Sequence, residues 1–202
     1  GNDKVFIEPY LKDARHIEVQ VIGDQKGALR HIFDRDCSLQ RQHQKVIEEA
    51  PAPLLSDSVR RKMCESAIKL CKAAKYSNLA TAEFLVDRKG NFYFLEVNTR
   101  LQVEHTVSEE ITGLDFVKLQ IQIAEGKSLN DILPKVIIPK GHAIQCRICA
   151  ESPENNFLPS SGEITAFNWP EINSVRMDSG FRTSDIVSHN YDSLIAKLIV
   201  SG

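Results

Sequence analysis

From Phe92 to Glu104 the chain alternates residue by residue between two sets of side chains. The odd positions, Tyr93, Leu95, Val97, Thr99, Leu101 and Val103, are mostly apolar. The even positions open with Phe92 and Phe94 and continue with Glu96, Asn98, Arg100, Gln102 and Glu104. A period of two belongs to an extended strand, which would put the whole even set on one face. A helix would scatter it, so a sheet is the first thing this chain must build. The bland explanation of the polar run is a strand whose far end is solvated. Two carboxylates, two amides and a guanidinium directly after two phenylalanines favour a site instead.

Glu83 strengthens that reading. Thr81 to Val86 and Asn91 to Val97 read as strands joined by the turn Asp87-Arg88-Lys89-Gly90. Counting back from the turn, Val86 pairs with Asn91, and Glu83 falls opposite Phe94, diagonal to Glu96. Two neighbouring buried carboxylates repel unless a cation sits between them. Carboxylate and amide oxygens suit Mg²⁺, which also tends to carry a substrate phosphate. Glu83, Glu96 and Asn98 are therefore a candidate magnesium site, with a nucleotide as the phosphate source. The alternative is two ion-paired surface glutamates.

Elsewhere the pattern predicts a short strand at Val5 to Ile7 and a hairpin of Arg15 to Ile22 with Ala28 to Phe33. In the first arm Ile17, Val19 and Val21 oppose His16, Glu18 and Gln20. Asp34 to Pro53 is polar without a clear period and reads as a long irregular segment, of the kind often functional. It supplies Arg35, Arg41, His43 and Lys45, spaced by Gln40, Gln42 and Gln44. A helix capped by Ser56 or Asp57 runs to about Lys75, with Val59, Met63, Ala67, Leu70 and Ala74 as its apolar stripe. Helices follow at Thr106 to Thr112, closed by Gly113, and from Asp115 to Glu125, closed by Gly126. Beyond His142 the pattern is strand-like, and Ser193 to Val200 is an apolar strand or helix. These elements predict an α+β fold with a mostly antiparallel sheet and helices packed on it. Both ends enter secondary structure without a lead-in, as expected of a piece of a longer chain.

The formal charge of −2 excludes a broad nucleic-acid footprint but not a local basic pocket. No apolar run is long enough for a membrane helix, and no secretory signal is readable. The five cysteines are an odd number in a chain that is not small, so they read as reduced thiols of a cytosol or organelle matrix. Cys146 and Cys149, three apart on a strand, point to opposite faces and do not share an ion.

Five stretches carry a family resemblance. The stretches Arg15 to Gln20, Arg35 to Pro51 and Phe94 to His105 closely resemble biotin carboxylase, as do Gly141 to Arg147 and Asn156 to Ser160. The resemblance implies the C-terminal lobe of an ATP-grasp domain over residues 1–126 and part of the biotin carboxylase C-terminal domain over 127–202, packed as one unit. It implies phosphorylation of bicarbonate by ATP with Mg²⁺ or Mn²⁺, then carboxylation of biotin on a carrier protein or domain. Partners would be that carrier, a carboxyltransferase and, in the full-length form, a second copy, with neither nucleic acid nor membrane. The compartment would be cytoplasmic or the mitochondrial matrix. By position, Glu83 and Glu96 match metal ligands, with Asn98 beside them. Lys45, Arg100, Gln102 and Val103 match the bicarbonate pocket, Glu104 the general base, and Arg147 the arginine that stabilises the biotin enolate. Glu8, Pro9, Tyr10 and Leu11 match the adenine hinge, and His16, Gln40, His43 and Leu85 further nucleotide contacts. Pro9 stands where the family often has lysine; it keeps the carbonyl but lacks an N–H. The family's amino-terminal domain and glycine-rich phosphate lid would precede Gly1, so this chain alone is expected to be inactive. The competing readings are another ATP-grasp ligase and a non-catalytic domain that kept the fold.

Overall fold

The computed structural model describes residues 3–169, 172 and 174–202. Its strands and helices are β1 (Arg15–Gly23), β2 (Leu29–Arg41), β3 (Gln44–Ala50), α1 (Asp57–Ala73), β4 (Asn78–Val86) and β5 (Phe92–Asn98). They continue with α2 (His105–Thr112), α3 (Phe116–Ala124), α4 (Leu129–Ile132), β6 (Ala143–Cys149), β7 (Glu151–Ser152) and β8 (Leu158–Pro159). The last are β9 (Gly162–Glu163), β10 (Val175–Ser179), β11 (Ile186–Val187) and β12 (Leu194–Ser201). Eight strands form one sheet in the order β10-β12-β6-β3-β2-β1-β4-β5. Each of its pairings is antiparallel, giving the expected α+β architecture. Residues on both sides of position 126 contribute strands to it.

The two faces of β1 explain how the layers form. Ile17, Val19 and Val21 are fully buried and meet Met63, Cys64, Ala67 and Cys71 of α1, with Ala80, Ala82 and Phe84 of β4 alongside. Ser56 caps α1, its hydroxyl accepting from the Val59 N–H at 3.4 Å. On the other face Ile22 joins Leu79, Phe116, Leu119 and Ile123, which seats α3 against the sheet. Asp115 caps α3 through the Lys118 N–H at 2.8 Å, and Gly113 ends α2 at φ +67°, a left-handed conformation that suits glycine.

Four expectations need correction. Val5 to Ile7 form no strand; they are irregular and exposed, because no described strand lies beside them to pair with. Asp34 to Pro53 is not irregular: β2 runs through to Arg41, turns at Gln42 and His43 (φ +50° and +65°), and returns as β3. Its period was masked because the buried face holds charges such as Arg35 and Glu48 rather than hydrocarbon. The buried stripe of α1 is Met63, Cys64, Ala67 and Cys71, with Leu70 36% exposed, so the helix is rotated from the predicted face. The even positions after Phe92 do not continue one strand. β5 ends at Asn98, residues 99–103 are irregular, and Glu104 stands at the N-terminus of α2.

Candidate active site

A bulge in β4–β5, between Glu83 and Phe84, sets the geometry of the site. The turn-based count fails in two steps. The hairpin pairs Val86 with Phe92 rather than Asn91, which brings Phe84 opposite Phe94. The bulge then shifts the register once more, so that Glu83 lies directly opposite Glu96 instead of facing Phe94. The row continues across the sheet: Glu83 is opposite Glu18, and Glu18 is opposite Arg35. Directly opposed residues share a face. One strip across four strands therefore carries Glu96, Glu83, Glu18 and Arg35. The next strip carries Asn98 opposite Thr81 and Thr81 opposite Gln20.

The lysine of β3 closes this strip from the side. Lys45 Nζ donates to Glu83 Oε1 at 3.1 Å, to Glu104 Oε1 at 2.9 Å, and to Glu18 Oε1. Glu104 is 2% exposed, and its second oxygen accepts from Arg147 Nη2 at 3.0 Å. Arg147 in turn donates from Nε to Glu48 at 2.6 Å. Glu83 Oε1 also accepts from Asn98 Nδ2 at 2.7 Å and Gln102 Nε2 at 2.6 Å, while His16 Nε2 meets Oε2 at 2.5 Å. Gln40 Nε2 stands 3.0 Å from the other ring nitrogen of His16.

These contacts decide the charge states. Burial pushes the Glu83 carboxyl up, but the His16 hydrogen bond and the Lys45 charge outweigh it and hold the group at about 2. Burial likewise works against ionised Glu104, and Lys45, Arg35 and Arg147 overcome it, so its pKa lies below the ordinary range. Glu18 goes the other way: full burial, with Glu104 as a second negative neighbour, raises it despite Arg35 and Lys45. The Lys45 ammonium is desolvated, yet Glu18 and Glu104 hold it protonated.

The site residues expected from sequence divide by position. Lys45, His43, Glu83, Glu96, Asn98, Arg100, Gln102, Val103, Glu104 and Arg147 line one cavity of about 280 Å³. Leu85 lies opposite His16, one strip further along β4. Glu8, Pro9, Tyr10 and Leu11 sit on the irregular stretch before β1, with Tyr10 90% exposed, and do not line the cavity. Arg41 turns away to pair with Glu151 and stack 4.1 Å over the Phe157 ring. Sequence reasoning did not select Glu18, Gln20, Thr81 or Glu48. Glu18 and Gln20 belonged to the even face of β1 and became recognisable only once β1 was paired with β4.

The donor set fits a divalent cation. Asn98 Nδ2 donates to both Glu83 at 2.7 Å and Glu96 at 2.9 Å, so the two carboxylates converge on one position, held here by a neutral N–H donor. With the amide turned about, its oxygen would face that position too, giving the all-oxygen set that magnesium prefers.

Comparisons with known proteins agree on one family. The model of the carbamoyl-phosphate synthase L chain ATP-binding domain matches residues 1–132, and that of the biotin carboxylase C-terminal domain matches residues 145–202. Biotin carboxylase 2 of Bacillus subtilis (strain 168) is 52% identical over 202 residues, covering 100% of this chain and 45% of that protein. Pyruvate carboxylase 1 of Caenorhabditis elegans is 50% identical over 204 residues, with 100% and 17% covered. Among solved structures, the biotin carboxylase domain of a thermophilic 2-oxoglutarate carboxylase bound to bicarbonate superposes with a TM-score of 0.90 at 43% identity, covering 96% of this chain and 43% of that one. A biotin carboxylase complex from Campylobacter jejuni gives 0.90 at 49% identity over the same shares. The chain thus spans less than half the length of these relatives.

Proposed function

The chain belongs to the biotin carboxylase family, and from that premise we propose that it supplies one lobe of an active site that couples ATP cleavage to bicarbonate and carboxylates biotin on a carrier protein or domain. One observation carries the reading: Lys45 Nζ sits between Glu83 and Glu104, joining a cation-binding carboxylate to a second, independently held one. Relatives support it: a 2-oxoglutarate carboxylase domain dimer is described in complex with MgADP and bicarbonate.

In this reading Glu83 and Glu96, with Asn98, would hold Mg²⁺ or Mn²⁺, which shields phosphate charge during transfer. His16, Gln40, His43 and Leu85 would contact the nucleotide, and Glu8 to Leu11 would run along its base. Lys45, Arg100, Gln102 and the backbone at Val103 would bind bicarbonate. Arg100 is suited to the anion because, among the described residues, its only protein bonds are weak ones, to Asn98 Oδ1 and the Leu101 carbonyl, both at 3.3 Å. An arriving anion shares Lys45 and Arg147 with Glu104. That sharing weakens their hold on the carboxylate and raises its proton affinity, which lets Glu104 take the bicarbonate proton. Arg147 then offers its planar donors to an enolate oxygen of biotin. Residues 1–126 act as the ATP-grasp lobe and 127–202 as part of the C-terminal domain. A carboxyltransferase and a second copy complete the assembly, in the cytoplasm or mitochondrial matrix. No described helix is long and apolar enough to cross a membrane.

The test is steady-state ADP formation by the full-length protein with and without bicarbonate. Bicarbonate-dependent turnover that falls at least about 100-fold in Glu104→Ala supports the reading, a loss typical of removing a general base. Turnover that survives the substitution refutes it. Another ATP-grasp ligase would share Glu83, Glu96 and Asn98 but has no use for Arg100, Gln102, Glu104 and Arg147 together.

A further inference from the structure

Arg35 is fully buried and does not line the cavity, yet it is bonded to Gln102, which does, and to Glu18, which holds the cavity residue Lys45. A guanidinium has five N–H donors and no acceptor. Here each has a partner. Nε donates to Glu18 Oε2 at 3.2 Å; Nη1 donates to Gln20 Oε1 at 2.7 Å and Ser108 Oγ at 3.1 Å; Nη2 donates to Thr81 Oγ1 and Gln102 Oε1, both at 3.1 Å. These acceptors come from β1, β4, α2 and the irregular stretch after β5. One side chain therefore ties the sheet to the loop that leads into α2.

Two of the five bonds have consequences in the cavity. An amide side chain can face an arginine only with its oxygen, because arginine cannot accept. Arg35 therefore forces Gln102 to present its NH₂ end to Glu83 and the cavity, where one N–H goes to Glu83 Oε1 at 2.6 Å. Among the described residues nothing accepts the second N–H of that group, which is left as a donor for an anion. Likewise, with Glu18 Oε2 held by Arg35, Oε1 is directed at Lys45 Nζ. The anion-facing ends of Gln102 and Lys45 are both set from behind by the same guanidinium.

We propose that Arg35 is a positioning residue for the bicarbonate pocket: it fixes the amide orientation of Gln102 and, through Glu18, the location of the Lys45 ammonium, without touching substrate. The inference rests on the proposed function of the site. A purely structural role would lower stability and leave the kinetics of folded enzyme unchanged. A positioning role acts on one substrate and is coupled to Gln102.

The experiment is a double-mutant cycle of Arg35→Lys and Gln102→Ala in the full-length protein, read as the KM for bicarbonate and the KM for MgATP. Lysine keeps the charge but has three donors, too few for the five acceptors. The expected result is a bicarbonate KM raised about tenfold or more, with the MgATP KM within about threefold, as for loss of ground-state binding to one substrate. Gln102→Ala is expected to cost much less in the Arg35→Lys background than alone. Unchanged bicarbonate KM, or fully additive effects, overturns the proposal. If Arg35→Lys does not fold, the pair Thr81→Val and Ser108→Ala removes two anchors of Arg35 without burying a new charge. Its bicarbonate KM should rise about threefold, and no rise overturns the proposal. Wild-type protein without bicarbonate-dependent ATP cleavage would sink the proposed function as well; wild-type activity with unshifted variants sinks this inference alone.

Discussion

The two faces of β1 are equally dry and chemically opposite. Ile17, Val19 and Val21 are fully buried against α1, and Glu18 and Gln20 are fully buried on the other side of the same strand. The apolar face is held by area: contacts there are interchangeable, and stability follows how much hydrocarbon leaves water. The polar face is held by valence, since each donor and acceptor needs its own partner and a missing one leaves a buried charge exposed to a low dielectric. A fold can tolerate drift on the first face. The second must be assembled residue by residue, and that requirement is what makes it usable as a site.

Substitutions of similar size should therefore behave differently on the two sides. The largest effect is expected from Glu18→Leu, which strands Arg35 and loosens Lys45. Breaking a buried pair costs about 3–5 kcal/mol, so thermal denaturation of the full-length protein should show a marked drop, with catalysis lost alongside. On the apolar side, Met63→Ala should cost about 3 kcal/mol through lost transfer energy and a cavity, with KM values of the folded enzyme unaltered. A shift in bicarbonate KM for Met63→Ala would break the distinction.

Acid should separate the faces further. The Glu104 carboxyl is held below its ordinary 4.5, so its contribution is present above that value and is lost as pH falls through the native pKa. Glu18, raised above 4.5, has the opposite sign: its contribution is complete below the ordinary value and fades as pH rises through the native one. Chemical denaturation of wild type and Glu104→Gln below about pH 4.5 should show a shallower acid loss in the variant. Equal slopes would mean that Lys45 and Arg147 do not hold Glu104 as the geometry indicates. The smallest effect is expected from Ser56→Ala, which removes the α1 cap, costs about 1 kcal/mol and leaves catalysis alone.

The same contrast explains what could be read from the sequence. β1, β4, β5, α1, α2 and α3 were recognisable because each has a period or a cap: Asp115 before α3, Gly113 after α2, alternation in Arg15 to Ile22. β2 beyond Phe33 and β3 were missed because their inward residues, Arg35, Lys45 and Glu48, carry no hydrophobic contrast. The Glu83–Glu96 pair was expected as a diagonal; a hairpin that pairs Val86 with Phe92 rather than Asn91, together with a bulge that no local residue signals, made it direct. Arg100, Gln102 and Glu104 were grouped by assuming an extended strand. They do line one cavity with Glu96 and Asn98, but the chain reaches it by leaving the strand at Asn98 and starting a helix at Glu104. Glu18 and Thr81 depended on cross-strand register, which a single sequence does not display.

The central claim is that the polar face of this sheet gathers a divalent cation and an anion on either side of Lys45. Crystals of the full-length protein soaked with Mn²⁺, ADP and bicarbonate test it directly through the anomalous signal of manganese. The account predicts a peak shared by the Glu83 and Glu96 carboxylates, with bicarbonate density between Lys45 and Arg100. Manganese absent from that pair, or an anion bound away from Lys45, would contradict it.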